Sequence, residues 1–157
     1  MPEEEAWHAE ANRVFADLLA GAEVQRPTPG FRVYGELETE ATDWLVSLAL
    51  RCDEREYVEA WCIRLARGLP SGHHMLGLSA LCVGHLARRF GCLSEEARTL
   101  VEELAGRCRR DSTDVDGRAI DGLEDVELSV PRHPRFAKIT RWLRRTWSRI
   151  SWAFDRS

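Results

Sequence analysis

Lysine is nearly absent from this chain, with Lys138 standing alone against 21 arginines, and so are long apolar runs, paired cysteines and the short signatures of a reaction centre. The lysine deficit reflects genome composition more than function. No apolar stretch approaches the roughly 18 residues that a membrane span requires. The opening Met-Pro-Glu-Glu-Glu is acidic where a secretory leader is basic and then apolar, so a cytoplasmic location is expected. Cys52, Cys62, Cys82, Cys92 and Cys108 form no Cys-x-x-Cys pair, are odd in number and mostly fall among apolar helical positions. They read as reduced packing residues. No histidine is spaced with a cysteine as zinc requires, and on a helix the adjacent His73 and His74 project to different sides, so no metal is expected. The chain has no Gly-x-Gly-x-x-Gly, Gly-x-Ser-x-Gly, His-Glu-x-x-His or phosphate-binding loop. With no nucleophile, base or phosphate cradle in a recognisable pattern, no catalytic residue and no cofactor are assigned.

What is present is a divided charge. Residues 1–130 carry 14 basic and 25 acidic side chains, a net −11, whereas residues 131–157 carry 8 basic and one acidic, a net +7. An acidic body of residues 1–130 with a basic tail of residues 131–157 is the expected organisation. The acidity of the body argues against nucleic acid as a ligand and suits a basic protein partner, for which opposite charge raises association rate and specificity.

Periodicity along the body is helical throughout. Trp7, Ala11, Val14, Phe15 and Leu18 predict a helix from about Glu4 to Ala20. Prolines and glycines between Gln25 and Glu38 predict an irregular connection. Trp44, Leu45, Leu48 and Ala49 mark a second helix ending near Arg51. Asp53 and Glu56 then have the spacing of a capping box for a helix carrying Val58, Trp61, Cys62 and Leu65 inward. Ser71 is placed to cap a helix from about Gly72 to Phe90 that is apolar nearly all round and must therefore be covered on both sides. Ser94 is placed to cap the next, with Leu100, Val101 and Leu104 inward and Arg98, Glu102, Glu103 and Arg107 toward water. Ser112-Thr113-Asp114 is placed to cap a last body helix running to about Ser129.

Two of these helices repeat. Gly77–Leu86 aligns with Gly117–Val126 at an offset of forty, setting Ala80, Val83 and Leu86 on Ile120, Leu123 and Val126. Trp61, Cys62 and Leu65 align with Leu100, Val101 and Leu104 at an offset of 39. Two helix types recurring in phase at about 40 residues predict an all-α, HEAT-like stack of antiparallel helix pairs. The alignment sets His85 opposite Asp125. The group His85, Asp121, Glu124 and Asp125 is thus a candidate partner-binding site, alongside the plainer reading of His85 as a core histidine bonded to its neighbour repeat.

The tail predicts a basic amphipathic helix over about Pro134–Phe154, with Phe136, Ile139, Trp142, Leu143 and Trp147 on one stripe and its cations on another. Three readings stay open for it: a cap on the end of the stack, a contact with an anionic membrane at its inner face, or docking on another macromolecule. Arg141, Trp142, Arg145, Trp147 and Arg149 are the candidate docking residues. A peripheral membrane or scaffold protein held through this helix is the alternative function.

The segment Leu78-Ser-Ala-Leu-Cys-Val-Gly-His-Leu-Ala-Arg-Arg-Phe-Gly91, followed by Gly117-Arg-Ala-Ile-Asp-Gly-Leu-Glu-Asp-Val-Glu127, resembles a group of small bacterial HEAT-like proteins. These include immunity proteins of polymorphic toxin and contact-dependent inhibition systems. The resemblance covers about residues 42–130, with Gly122 and Val126 where alanine and isoleucine are more usual. It implies a non-enzymatic protein that neutralises a cognate toxin domain, such as a basic nuclease, by binding and occlusion.

Overall fold

A computed structural model describes residues 2–22 and 35–130. The expected tail helix, with Arg141, Trp142, Arg145, Trp147 and Arg149, and most of the expected 25–38 connection lie outside these residues. Among the described residues the chain is all-α, with six helices: α1 (Pro2–Ala22), α2 (Glu36–Arg51), α3 (Arg55–Gly68), α4 (His74–Phe90), α5 (Glu95–Arg110) and α6 (Arg118–Ser129). None of them is long and apolar enough to cross a membrane.

The principal contacts join helices one or two places apart in chain order. Odd-numbered helices meet odd (α1 with α3, α3 with α5), even meet even (α2 with α4, α4 with α6), and consecutive helices pack on each other. As its sequence demands, α4 is enclosed: Met75, Leu76, Ala80, Val83, Leu86 and Ala87 are all fully buried among α2, α3, α5 and α6. The first helix is locked to this body by aromatic and polar contacts. Phe15 lies 4.9 Å from Trp61 and Trp7 meets Trp44 edge-on at 5.6 Å. Asn12 Oδ1 accepts hydrogen bonds from both Trp61 Nε1 (2.8 Å) and the Tyr57 hydroxyl (2.9 Å), so a polar atom on α1 selects its register on α3.

The closest packing is between α4 and α6, and glycine makes it possible. A methyl group on Gly122 would lie 2.3 Å from the Ala80 carbonyl oxygen, and one on Gly84 would lie 2.9 Å from the Gly122 backbone. Neither neighbour is a side chain that can swing away. This approach requires a residue without a side chain at 122.

Helix starts depart from the expected ones wherever a tertiary partner outbids the local cap. Ser94 does cap α5, accepting from Ala97 N at 3.1 Å. The Asp53 capping box is not formed: α3 starts at Arg55 with no side-chain cap, and Asp53 pairs with Arg89 of α4 at 3.1 Å. The same Arg89 donates to the Ala49 and Cys52 carbonyls at the end of α2, which gives it three acceptors in one place. Ser71 does not cap α4, which starts two residues later than expected. Its hydroxyl donates to Asp114 Oδ1 at 2.6 Å, and Gly72, at φ 75°, turns its N–H to the Asp114 carbonyl at 2.7 Å. Ser112-Thr113-Asp114 does not cap α6, which starts at Arg118 beyond Gly117. At the other end of the connection, α2 reaches back to Glu36, inside the stretch expected to be irregular.

Asp114 has left the capping role because Arg107 offers a stronger one, a two-pronged ion pair at 2.8 and 2.6 Å. The guanidinium holds the Asp114 carboxyl at about 2, below its ordinary 3.8, against the opposing effect of burial and with the Ser71 hydroxyl assisting. A depressed carboxylate pKa stabilises the fold above the ordinary value and is lost as pH falls through the folded one. Asp114→Asn is therefore expected to cost about 1–2 kcal/mol at pH 7 after allowance for solvent screening. Denaturant melts of the two proteins should converge between pH 4 and pH 2, and a difference that persists unchanged to pH 2 would contradict the assignment.

Of the α5 charges expected in water, only Glu103 is exposed, and Glu102 is half-buried. Arg98 is only 7 % exposed, and its guanidinium donates to the Val130 carbonyl just beyond α6. Arg107 is half-buried beside Asp114. The cysteines follow expectation for the most part: Cys52, Cys62, Cys82 and Cys108 are buried free thiols, while Cys92 is exposed. Burial pushes the Cys82 thiol up to about 12, so it remains protonated and inert.

Candidate functional site

The predicted group on α4 and α6 is brought together in part. His85 and Asp125 lie near each other, but they do not pair. The Asp125 carboxylate accepts from Arg88, one turn along α4, at 3.1 and 3.3 Å. Nδ1 of His85 is buried with no hydrogen-bond partner among the described residues. Burial lowers the His85 pKa, Arg88 lowers it further, and Asp125 only partly opposes them, which favours the neutral imidazole. A permanently charged guanidinium outcompetes a neutral ring for the carboxylate. The expected bond between repeats is thus supplied by Arg88, a residue the sequence pattern did not single out.

Asp121 and Glu124 are exposed on α6, with no ion pair to any described residue. Glu127 is exposed beside them, and Leu128, one of two large apolar side chains left in solvent among the described residues, is 54 % exposed on the next turn. Spacings of three, four and seven place Asp121, Glu124, Asp125 and Leu128 on one face. This face presents fixed negative charge with an exposed apolar side chain at its C-terminal end.

A second polar assembly, which sequence reasoning missed, gathers where α2, α4 and α6 meet at the start of α4. Glu38 sits in the first turn of α2 and its Oε2 accepts from Gly35 N at 3.0 Å. His73 is the residue before α4, where its Nδ1 accepts from Met75 N at 3.2 Å. That bond puts the ring proton on Nε2, which faces Glu38 Oε1 at 3.2 Å. One turn along α2, Thr42 donates its hydroxyl to the Glu38 carbonyl at 2.8 Å and faces Nε2 of His74 at 3.0 Å, so the oxygen accepts from that nitrogen. The two imidazoles stack with centroids 4.9 Å apart and planes 22° apart. Arg118 of α6 closes the assembly, donating to the His74 carbonyl at 3.0 Å while paired with Asp116.

Burial, and then the neighbouring His73, lower the His74 pKa to about 4, so the ring is neutral at pH 7. One ligand atom from each of Glu38, His73 and His74 lies within 4.8 Å of the others. The expectation that the two histidines diverge is corrected here. They do not share a regular helix, since α4 begins only at His74 and extended backbone at His73 turns its ring back over its neighbour. The signal available in the sequence was the Pro70-Ser-Gly72 break, which can postpone a helix start by two residues. Compared with protein families, with curated proteins and with solved structures, the chain matches no family model, no curated protein and no solved structure.

Proposed function

We propose that this protein is a non-enzymatic, HEAT-like protein-binding module, an immunity protein that neutralises a cognate bacterial toxin domain in the cytoplasm by binding and occluding it. The observation that carries the proposal is the α6 face, where Asp121 and Glu124 are exposed and uncommitted beside Leu128. Carboxylates engaged within the fold, such as Asp114 and Asp125, have no charge to spare for a partner. The uncommitted ones can meet a basic surface such as that of a nuclease, with Leu128 as an apolar contact beside them. The HEAT-like reading is supported by the pattern of contacts, odd helices with odd and even with even, and by the phased sequence repeats. The net charge of −11 over residues 1–130 adds long-range attraction for a basic partner.

The test is protection. Cells of the source organism yield the partner by affinity capture on the intact chain, and the captured domain is then produced alone and with wild-type or variant protein. Wild type is expected to restore growth. The double variant Asp121→Arg, Glu124→Arg is expected to bind at least tenfold more weakly and to fail to protect while keeping the wild-type circular dichroism and melting temperature. A partner that is harmless by itself, or one whose binding ignores both the charge reversal and added salt, would sink the proposal.

A further inference from the structure

We infer that Glu38, His73 and His74 form a binding site for a divalent metal ion of the zinc class. The inference is independent of the toxin-binding reading, because these residues lie at the start of α4 and not on the exposed face of α6. Two imidazoles and one carboxylate are the donor set preferred by zinc and its first-row neighbours, and poor in affinity for magnesium or calcium. The geometry is already gathered: one donor atom from each residue lies within 4.8 Å of the other two. Two zinc-bound donors about 2.1 Å from a common ion stand roughly 3.5 Å apart in a tetrahedral site, so each needs to move by only about an ångström.

The surroundings hold the donors in place. Both histidines face α2, Arg118 donates to the His74 carbonyl, His74 is tied to Thr42 through Nε2, and Glu38 is tied to Gly35 N through Oε2. The Nε2 proton of His73 shifts to Nδ1 when the metal takes Nε2, which gives up the 3.2 Å bond from Met75 N. Binding of M²⁺ to two neutral imidazoles and one carboxylate thus releases no proton. Glu38 is the most open member, its side chain 29 % exposed, so the fourth coordination position faces solvent and would hold water.

Zn(II) and Co(II) serve as probes on the full chain after treatment with chelator. Calorimetry with Zn(II) is expected to give one ion per chain, with Glu38→Gln and His73→Asn each weakening binding at least tenfold. Asparagine at 73 can still accept from Met75 N, which keeps the helix start, and unchanged melting temperatures without metal establish that both variants are folded. Co(II) is expected to give visible ligand-field absorption without the near-ultraviolet charge-transfer band of thiolate ligation. A thiolate band, binding unaffected by both substitutions, or no binding by the wild type would each overturn the site.

Discussion

Gly122→Ala is expected to destabilise the protein by about 2–3 kcal/mol, although alanine is the better helix former by about 1 kcal/mol. The added methyl group would stand 2.3 Å from the Ala80 carbonyl oxygen and 2.5 Å from its carbon, so α4 and α6 must separate along their closest line of contact. Separation also strips packing from Val83, Leu86, Leu123 and Val126, which the close approach buries. The companion Gly106→Ala on α5 carries the opposite sign. Its methyl group would meet only Arg110 Nη1 at 3.6 Å, so the helix-forming gain of up to about 1 kcal/mol should appear as added stability. Urea unfolding of both variants decides the matter. If both are stabilised, the two helices do not approach as described.

The second large effect is expected at Glu59, which is 3 % exposed. A buried carboxylate needs a full set of partners, and this one has them. Arg55 donates to it from one turn earlier on α3, and Ser94 N, at the start of α5, donates to both its oxygens at 3.4 and 3.3 Å. Glu59 thereby performs from α3 the service that a glutamate three residues into α5 would perform in a capping box. Glu59→Ala leaves the Arg55 guanidinium and the Ser94 N–H without their acceptor, at a cost of about 2–4 kcal/mol. Glu59→Gln keeps an acceptor for Ser94 and is expected to cost roughly half as much. Thermal unfolding ranks the three proteins. Alanine as stable as wild type would mean that the bridge between α3 and α5 contributes nothing.

These two positions separate what the sequence disclosed from what it concealed. Ala80, Val83, Leu86, Leu123 and Val126 were legible as core because helical periodicity assigns a face before any neighbour is known. Gly122 was legible only as a glycine within a helical stretch, and its reason was not, since a close approach is a property of two helices. Glu59 reads as one more solvated acid on α3, because its partner Ser94 lies 35 positions away. The same blindness misplaced Asp53, Ser71 and Asp114, each a sound local cap claimed by a partner on another element: Arg89 of α4 for Asp53, Asp114 for Ser71, and Arg107 of α5 for Asp114.

The candidate site divides in the same way. Asp121 and Glu124, named from the sequence as candidate partner-binding residues, are exposed on α6. Pairing His85 with Asp125 followed from their repeat positions, yet Arg88 decides the outcome, since charge outweighs register where two donors compete for one carboxylate. The meeting of Glu38 with His73 and His74 had no local signal beyond the break at Pro70-Ser-Gly72.

By itself, the sequence determined an all-helical body, its apolar stripes and an acidic surface, because each depends on spacing along one chain. The tertiary structure alone decided where helices start, which charges are buried and which ligating atoms converge. Those depend on competition among partners far apart in sequence, and an ion pair or a carbonyl supplied by another helix outweighs a local cap worth about 1 kcal/mol.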